Sequence, residues 1–175
     1  CGYSDLEFDV GTGGRGKRGV QVDEFFRLLF PDHHALVVNN NAAALLLALN
    51  TVALGREVVI SRGELVEIGG SFRVPEILQS SGSRLCEVGT TNRTHLHDYA
   101  DAIGPDTAMI LKVWPSNYRV VGYTKEVPVA ELAELSRRVG VPLLADQGCG
   151  RMLRDSPGPS SELSVEELLG DGADL

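Results

Sequence analysis

An α/β fold, with a mainly parallel sheet and helices on both faces, is the class this sequence predicts. Three observations predict it. Strand-like and helix-like segments take turns at least five times along the chain. The strand-like segments are short, apolar and non-alternating, as expected when both faces of a sheet are covered. The helix-like segments carry the start and stop signals of real helices, such as the leading Pro and closing Gly of "PEILQSSG".

The elements follow in order. "VQVDEFFRLLF" (Val20–Phe30) has an amphipathic helical period and is stopped by Pro31. "ALVV" (Ala35–Val38) reads as a short buried strand. "AAALLLALNTVAL" (Ala42–Leu54) has high helix propensity and ends at Gly55. "EVVIS" (Glu57–Ser61) is a strand, Pro75–Gly82 a helix, "RLCEVG" a strand and "LHDYADAIG" a helix. "AMILKVW" (Ala108–Trp114) is a strand, and "VAELAELSRRVG" (Val129–Gly140) a helix with basic residues in its last turn. "PLLAD" (Pro142–Asp146) is a strand and "SVEELLGDG" a short capped helix. "DSPGPSS" (Asp155–Ser161) has linker composition.

Composition narrows the class of function. The chain has 175 residues, 43% hydrophobic and 23% charged, which is ordinary for a globular domain. No apolar run reaches the length of a membrane span, so no membrane partner is expected. Cys1, Cys86 and Cys149 are scattered and odd in number, which argues against a disulfide framework and fits a reducing cytoplasm. His95 and His97 read as an exposed pair at a helix start, and no metal site is expected. The net charge of −8 is not that of a domain built mainly to bind nucleic acid. The exception is "GGRGKRG" (Gly13–Gly19), with Arg15, Lys17 and Arg18 on a glycine-rich loop. It reads either as a mobile surface loop or as a cationic arm that closes on an anion. The chain begins with Cys1 and ends in "GDGADL", which resembles the start of a further strand, so a fragment of a longer protein is expected.

In parallel sheets ligands bind beyond the carboxyl ends of the strands, so the residues just after each strand are the candidates. Asn39-Asn40-Asn41 precede the Ala/Leu helix. Asn41 is the expected N-cap, and the helix N-terminus offers N–H groups to an anion such as a phosphate. Arg62, Glu64 and Glu67, with Gly69-Gly70 behind them, follow the second strand, and Asn117 and Arg119 of "WPSNYR" follow the fourth. Asp146 ends the fifth. It either caps the next turn or pairs with a cation, because a lone buried carboxylate is costly. A phosphate cradle, an amide and a buried acid together match pyridoxal 5'-phosphate: phosphate on the helix, phenolic oxygen at the amide, ring nitrogen at the acid. A Schiff-base lysine is missing from this set. Of the three lysines, Lys112 lies within a strand, Lys125 in a polar turn and Lys17 in the basic loop.

The longer motifs are more specific. "ALVVNNNAAALLLALN", "EVVISRGELVEIGGSFRVPEILQSSG", "EVGTTNRTHLHDY", "LKVWPSNYRVVGYT" and "VPLLADQGCG" closely resemble bacterial selenocysteine synthase, the L-seryl-tRNA(Sec) selenium transferase family, over nearly the whole chain. The resemblance implies the large domain of a fold-type-I pyridoxal-phosphate enzyme, in part. Residues 1–31 would form its N-terminal basic loop and helix. Residues 32–175 would be the first part of the cofactor-binding domain, ending before the Schiff-base lysine. It implies conversion of seryl-tRNA(Sec) and selenophosphate to selenocysteinyl-tRNA(Sec) through an aminoacrylyl intermediate, in a cytoplasmic homo-oligomer. Asn40, Asn41 and Ala42 would then hold the cofactor phosphate, Asp146 the pyridine nitrogen and Asn117 the phenolic oxygen. Arg15, Arg18 and Arg119 would meet anionic substrates. The chain alone is not expected to be active.

Two departures from the family pattern stand out. Trp114-Pro115 replaces His-Thr before "SNYR", and Gln147-Gly148-Cys149-Gly150 replaces Leu-Gly-Ser-Gly after the strand-ending acid. The first puts any polar role of that His in doubt; in the second, Cys149 either is inert or replaces the hydroxyl. The other readings are a related ammonia lyase acting on a phosphorylated amino-sugar acid, and a non-catalytic protein of the same fold.

Overall fold

The computed structural model describes residues 7–68, 72–148, 150–157 and 162–175. Cys1, Gly69-Gly70, Cys149 and part of the predicted Asp155–Ser161 linker lie outside the described residues. The chain divides into two compact units, Cys1–Ala44 and Leu45–Leu175.

In the first unit, β1 (Phe8–Asp9) pairs antiparallel with β2 (Gly14–Arg15). The turn between them is held by Asp9, whose Oδ1 accepts from Gly11 N at 2.8 Å and Thr12 N at 3.1 Å. Helix α1 (Val20–Leu29) follows Gly19, whose φ of 87° is the left-handed conformation that glycine tolerates. No residue of α1 is buried; Phe25 and Leu28 of its apolar face are exposed. The helix closes with Phe30 N donating to Phe26 O, just before Pro31.

The strand expected over Ala35–Val38 is not formed. Among the described residues it has no ladder partner, and Leu36 and Val37 are 75% and 64% exposed. Its backbone is tied instead by Ala35 N donating to Asp23 Oδ1 at 3.0 Å. Four apolar residues state a preference for burial, but only a neighbouring strand can satisfy their backbone groups as a ladder.

The second unit is the expected α/β sheet. Its strands are β3 (Glu57–Ser61), β6 (Arg84–Val88), β7 (Thr107–Val113) and β8 (Leu143–Asp146), in the order β6-β3-β7-β8, all parallel. Side chains alternate across it. Val58, Ile60, Met109, Leu111 and Leu144 face one layer, with Leu45, Leu49 and Ala53 of α2 (Asn41–Ala53) and Val74 and Leu78 of α3 (Val74–Ser80). Val59, Ile110 and Leu143 face the other, with Tyr99 of α4 (Leu96–Ala102), Leu132 and Leu135 of α5 (Val129–Val139) and Leu168 of α6 (Val165–Gly170). All seven residues of β7 are buried, which is why it reads as a continuous apolar run broken only by Lys112. The spacing Leu45, Leu49, Ala53 is the i, i+4, i+8 stripe of a helix laid on a sheet.

The chain leaves β3 for β6 on one side, then crosses to β7 and on to β8 on the other. The crevice at the carboxyl ends of β3 and β7 is therefore the switch point of the sheet. Beyond β3 the chain makes a 3-10 turn (Arg62–Glu64) and a small hairpin of β4 (Glu67–Ile68) and β5 (Phe72–Arg73). Residues 173–175 run beside β8: Asp174 N donates to Leu143 O, and Ala145 N to Leu175 O at 3.0 Å. The further strand that "GDGADL" suggests is not assigned, but these bonds run along the edge where it would lie.

Candidate active site

A cleft of about 650 Å³ opens at this switch point. It is lined by Ser61 at the end of β3 and Glu64 beyond it, Thr90–Thr94 after β6, Trp114–Val120 after β7, and Lys125, Glu126 and Glu162. The sheet thus brings Asn117 and Arg119 together on the rim of one cleft, both exposed.

Two walls are braced by backbone contacts. On the β6 side Thr94 N donates to Lys125 O, Lys125 N donates to Asn92 O, and Asn92 Nδ2 donates to Tyr123 O at 2.6 Å. On the β8 side Val113 is in register with Asp146, and Trp114 N donates to Asp146 O at 3.1 Å. Gly148 follows at a close approach: a Cβ there would lie 2.3 Å from Ser116 Cβ. Gly148 N donates to Glu162 Oε1, and the Gln147 amide donates to the carbonyls of Arg151 and Leu163. Gln147, a departure from the family pattern, is therefore a brace between the loop after β8 and the approach to α6.

The floor of the cleft is polar and buried. Ser61 Oγ and Thr94 Oγ1 are 2.7 Å apart. Glu64 is 6% exposed; its Oε1 accepts from Lys112 Nζ at 2.7 Å and its Oε2 from Val113 N at 3.0 Å. Glu126 Oε2 adds a longer contact to Lys112 at 3.4 Å. Burial pushes the Glu64 carboxyl upward, while the Lys112 ammonium and the Val113 N–H pull against it. Burial opposes the charge on Lys112, but Glu64 and then Glu126 outweigh it and hold the ammonium above the ordinary lysine range. Lys112 Nζ, held charged, thus stands 2.7 Å from the buried Glu64 carboxyl. Burial also raises the phenols of Tyr99 and Tyr118, and the Glu64 charge adds to both.

The structure places the other predicted residues as follows. Asp146 is the last residue of β8 and 8% exposed, on the strand next to the one that leads to Asn117; it is not among the cleft-lining residues. Asn40, not Asn41, is the N-cap of α2. Its Oδ1 accepts from Ala43 N at 2.8 Å, and its carbonyl accepts from Ala44 N at 3.1 Å, so the helix begins one residue earlier than expected. Cap chemistry is the same for either Asn, so local sequence could not choose between them. Asn40, Asn41, Ala42, Arg15 and Arg18 belong to the first unit. There Arg15 and Arg18 both pair with Glu7, with side chains 83% and 76% exposed. Arg62 is tied to Glu87 and Gly89 O, and Glu67 to Arg73, so both are engaged in braces. His95 caps α4, its backbone N donating to Asp98 Oδ2. Ser61, Thr94, Lys112 and Glu126 are not among the site residues that the sequence predicts. Ser and Thr are too common at strand ends to mark a site, and Lys112 lies within a strand and not just after one.

The SelA family, L-seryl-tRNA selenium transferase, matches residues 1–175. The L-seryl-tRNA(Sec) selenium transferase of Moorella thermoacetica is 55% identical over 174 residues, 99% of this chain and 37% of that protein. That of Rhizobium meliloti is 54% identical over 171 residues, 97% of this chain and 37% of that protein. The chain thus spans little more than a third of the length of these curated relatives. Among solved structures, D-glucosaminate-6-phosphate ammonia-lyase superposes with a TM-score of 0.68 at 21% identity, covering 88% of this chain and 42% of that one. A structure of SPT with PLP superposes at 0.56 and 15% identity, covering 86% and 35%. These two likenesses speak for the fold, that of fold-type-I pyridoxal-phosphate enzymes. By sequence, this chain belongs to the L-seryl-tRNA(Sec) selenium transferase family.

Proposed function

We propose that the protein containing this chain converts seryl-tRNA(Sec) and selenophosphate to selenocysteinyl-tRNA(Sec), with pyridoxal 5'-phosphate as cofactor. The observation that carries the reading is the pair Asp146, at the end of β8, and Asn117, on the loop that follows the neighbouring strand β7, in a chain of this family. The donor set fits the cofactor. A carboxylate more than nine-tenths buried at a strand end suits a protonated ring nitrogen, and an exposed amide on the neighbouring loop suits a phenolic oxygen. When bound, pyridoxal phosphate supplies an electron sink for the electrons released at the substrate α-carbon.

In this reading Asp146 holds the ring nitrogen and keeps its proton in place. Asn117 orients the ring through the phenolic oxygen. The α2 N-terminus, with Asn40, Asn41 and Ala42, would hold the phosphate. Arg119 on the cleft rim and the exposed Arg15 and Arg18 meet the anionic substrates, selenophosphate and the tRNA backbone. Arg15 and Arg18 exchange Glu7 for that partner, at little cost because the pairs are solvent-exposed. Residues 1–31 serve as the basic loop and helix of the large domain, and 32–175 as the first part of its cofactor-binding portion. A cytoplasmic homo-oligomer completes the reading. Among the described residues no helix is long and apolar enough to cross a membrane.

The test is selenium incorporation into seryl-tRNA(Sec) by the complete protein, with selenophosphate and radiolabelled selenium. Labelled selenocysteinyl-tRNA is the expected product. Ammonia release from a phosphorylated amino-sugar acid, with no labelled tRNA, would instead favour the lyase reading. Inactivity toward both would favour a non-catalytic role. Identity above half to the transferases weighs against the lyase, whose likeness here extends to the fold.

A further inference from the structure

Parallel strands satisfy alternate backbone N–H groups on opposite sides. In β7, Ile110 N and Trp114 N both point to the β8 side, donating to Pro142 O and Asp146 O. The odd-numbered residues therefore point their N–H groups toward β3. The β3–β7 register ends at Ile60↔Leu111, so Val113 N–H faces a side where strand pairing has run out. Glu64 Oε2 takes its place as acceptor at 3.0 Å. The other oxygen, Oε1, takes Lys112 Nζ at 2.7 Å. Both donors are the last two residues of β7, and the next residues, Trp114 to Arg119, form the cleft wall that carries Asn117. With each carboxylate oxygen accepting an N–H, and one of them ion-paired, Glu64 has the bonding of a fixed brace and not of a proton acceptor for a substrate.

We propose that Glu64 is a positioning residue: it extends the β3–β7 seam by one hydrogen bond past the end of β3 and thereby sets the loop that presents Asn117 to the cofactor. This rests on the functional reading above for what Asn117 holds, but the clamp itself does not depend on that reading. Lys112 is the counter-charge that lets a carboxylate stand at this buried place. The two roles separate by atom. The Lys112 contact governs stability, and the Val113 contact governs the loop.

Two double variants separate them. Glu64→Gln with Lys112→Met removes both charges but keeps an amide oxygen for Val113 N–H. Glu64→Leu with Lys112→Met removes both charges and the acceptor. Trp114, the single tryptophan of this sequence, stands at the start of the loop and is half-buried, so acrylamide quenching of its fluorescence reads the loop directly. A Trp114→Phe control assigns the signal in the complete protein. The Leu variant is expected to raise the quenching constant about two-fold or more. It should also weaken pyridoxal-phosphate binding about ten-fold, as for an anchor displaced by a fraction of an ångström. The Gln variant is expected to keep quenching at the unmodified value. Equal quenching in the two variants overturns the proposal, as does a two-fold rise in the Gln variant. Hydrogen exchange at the Val113 amide of the unmodified protein stands apart from whether either variant folds. Protection within about ten-fold of that at Leu111 is expected, and exchange at the rate of a free amide overturns the clamp. If the unmodified protein makes no selenocysteinyl-tRNA, the functional reading falls, while quenching and exchange still decide the role of Glu64.

Discussion

Replacing Gly148 by Ala tests whether the loops after β7 and β8 are held in one arrangement. A Cβ added there would stand 2.3 Å from Ser116 Cβ and 3.3 Å from Ser116 Cα. Carbon atoms prefer about 3.5–4.0 Å, so the overlap with Cβ is more than an ångström, and the obstacle is a short side chain that cannot swing clear. One loop must move. Gly148 N is anchored on Glu162, and Trp114 N on Asp146 O, so the displacement falls on residues 115–119, where Asn117 and Arg119 stand. Overpacking of this kind costs about 1–3 kcal/mol. For a domain of this size that is roughly 2–12 °C in Tm. A misplacement near 1 Å at a positioning group costs on the order of 100-fold in kcat/KM. The assay is thermal unfolding followed by selenium transfer in the complete protein. Adding Ser116→Gly removes the nearest atom and leaves the 3.3 Å contact, so the double variant should recover most of both losses. A Gly148→Ala protein with unaltered Tm and turnover, or one that Ser116→Gly fails to rescue, would refute the reasoning.

Three further outcomes are expected. Leu49 is fully buried in the layer between α2 and the sheet, so Leu49→Ala should lower unfolding stability by about 2–5 kcal/mol in denaturant titration. Asp146→Ala removes the buried acid assigned to the ring nitrogen. Pyridoxal-phosphate affinity should fall by about 2–5 kcal/mol in an absorbance titration, and unchanged affinity would remove that assignment. Glu167 is held at about 2, below its ordinary 4.5, by the N–H and hydroxyl of Ser164 and then by Arg151. A lowered carboxyl stabilises the fold above its unfolded pKa and loses that contribution as pH falls toward its folded value. Tm should therefore decline between about pH 4.5 and 2, with a shallower decline in Glu167→Gln.

What could be read in the sequence, and what could not, follows from the range over which each interaction acts. The parallel strands were legible because burial on both faces writes a continuous apolar run into the residues themselves, as in β3 and β7. Helix α5 was legible because Pro128 and Gly140 mark its ends locally. Asn117 and Arg119 were placed by a rule of topology, that sites gather at carboxyl ends, and both line the cleft at that edge, whereas Asp146, placed by the same rule, ends β8 outside its lining. The Ala35–Val38 strand failed because its apolar run is local while a ladder partner is not. Glu64 and Lys112 are the sharper case. A lysine inside an apolar strand looks misplaced for any site, and a glutamate in a polar turn looks ordinary. Their meaning comes from contacts across 48 and 49 residues of chain, made because the β3–β7 pairing ends at Leu111, two residues before Val113 needs an acceptor. That mismatch of strand lengths leaves no mark in either segment alone. A buried lysine next to a strand end is thus a reason to search the opposite strand's exit for its carboxylate, because an unpaired ammonium there would be too costly to keep.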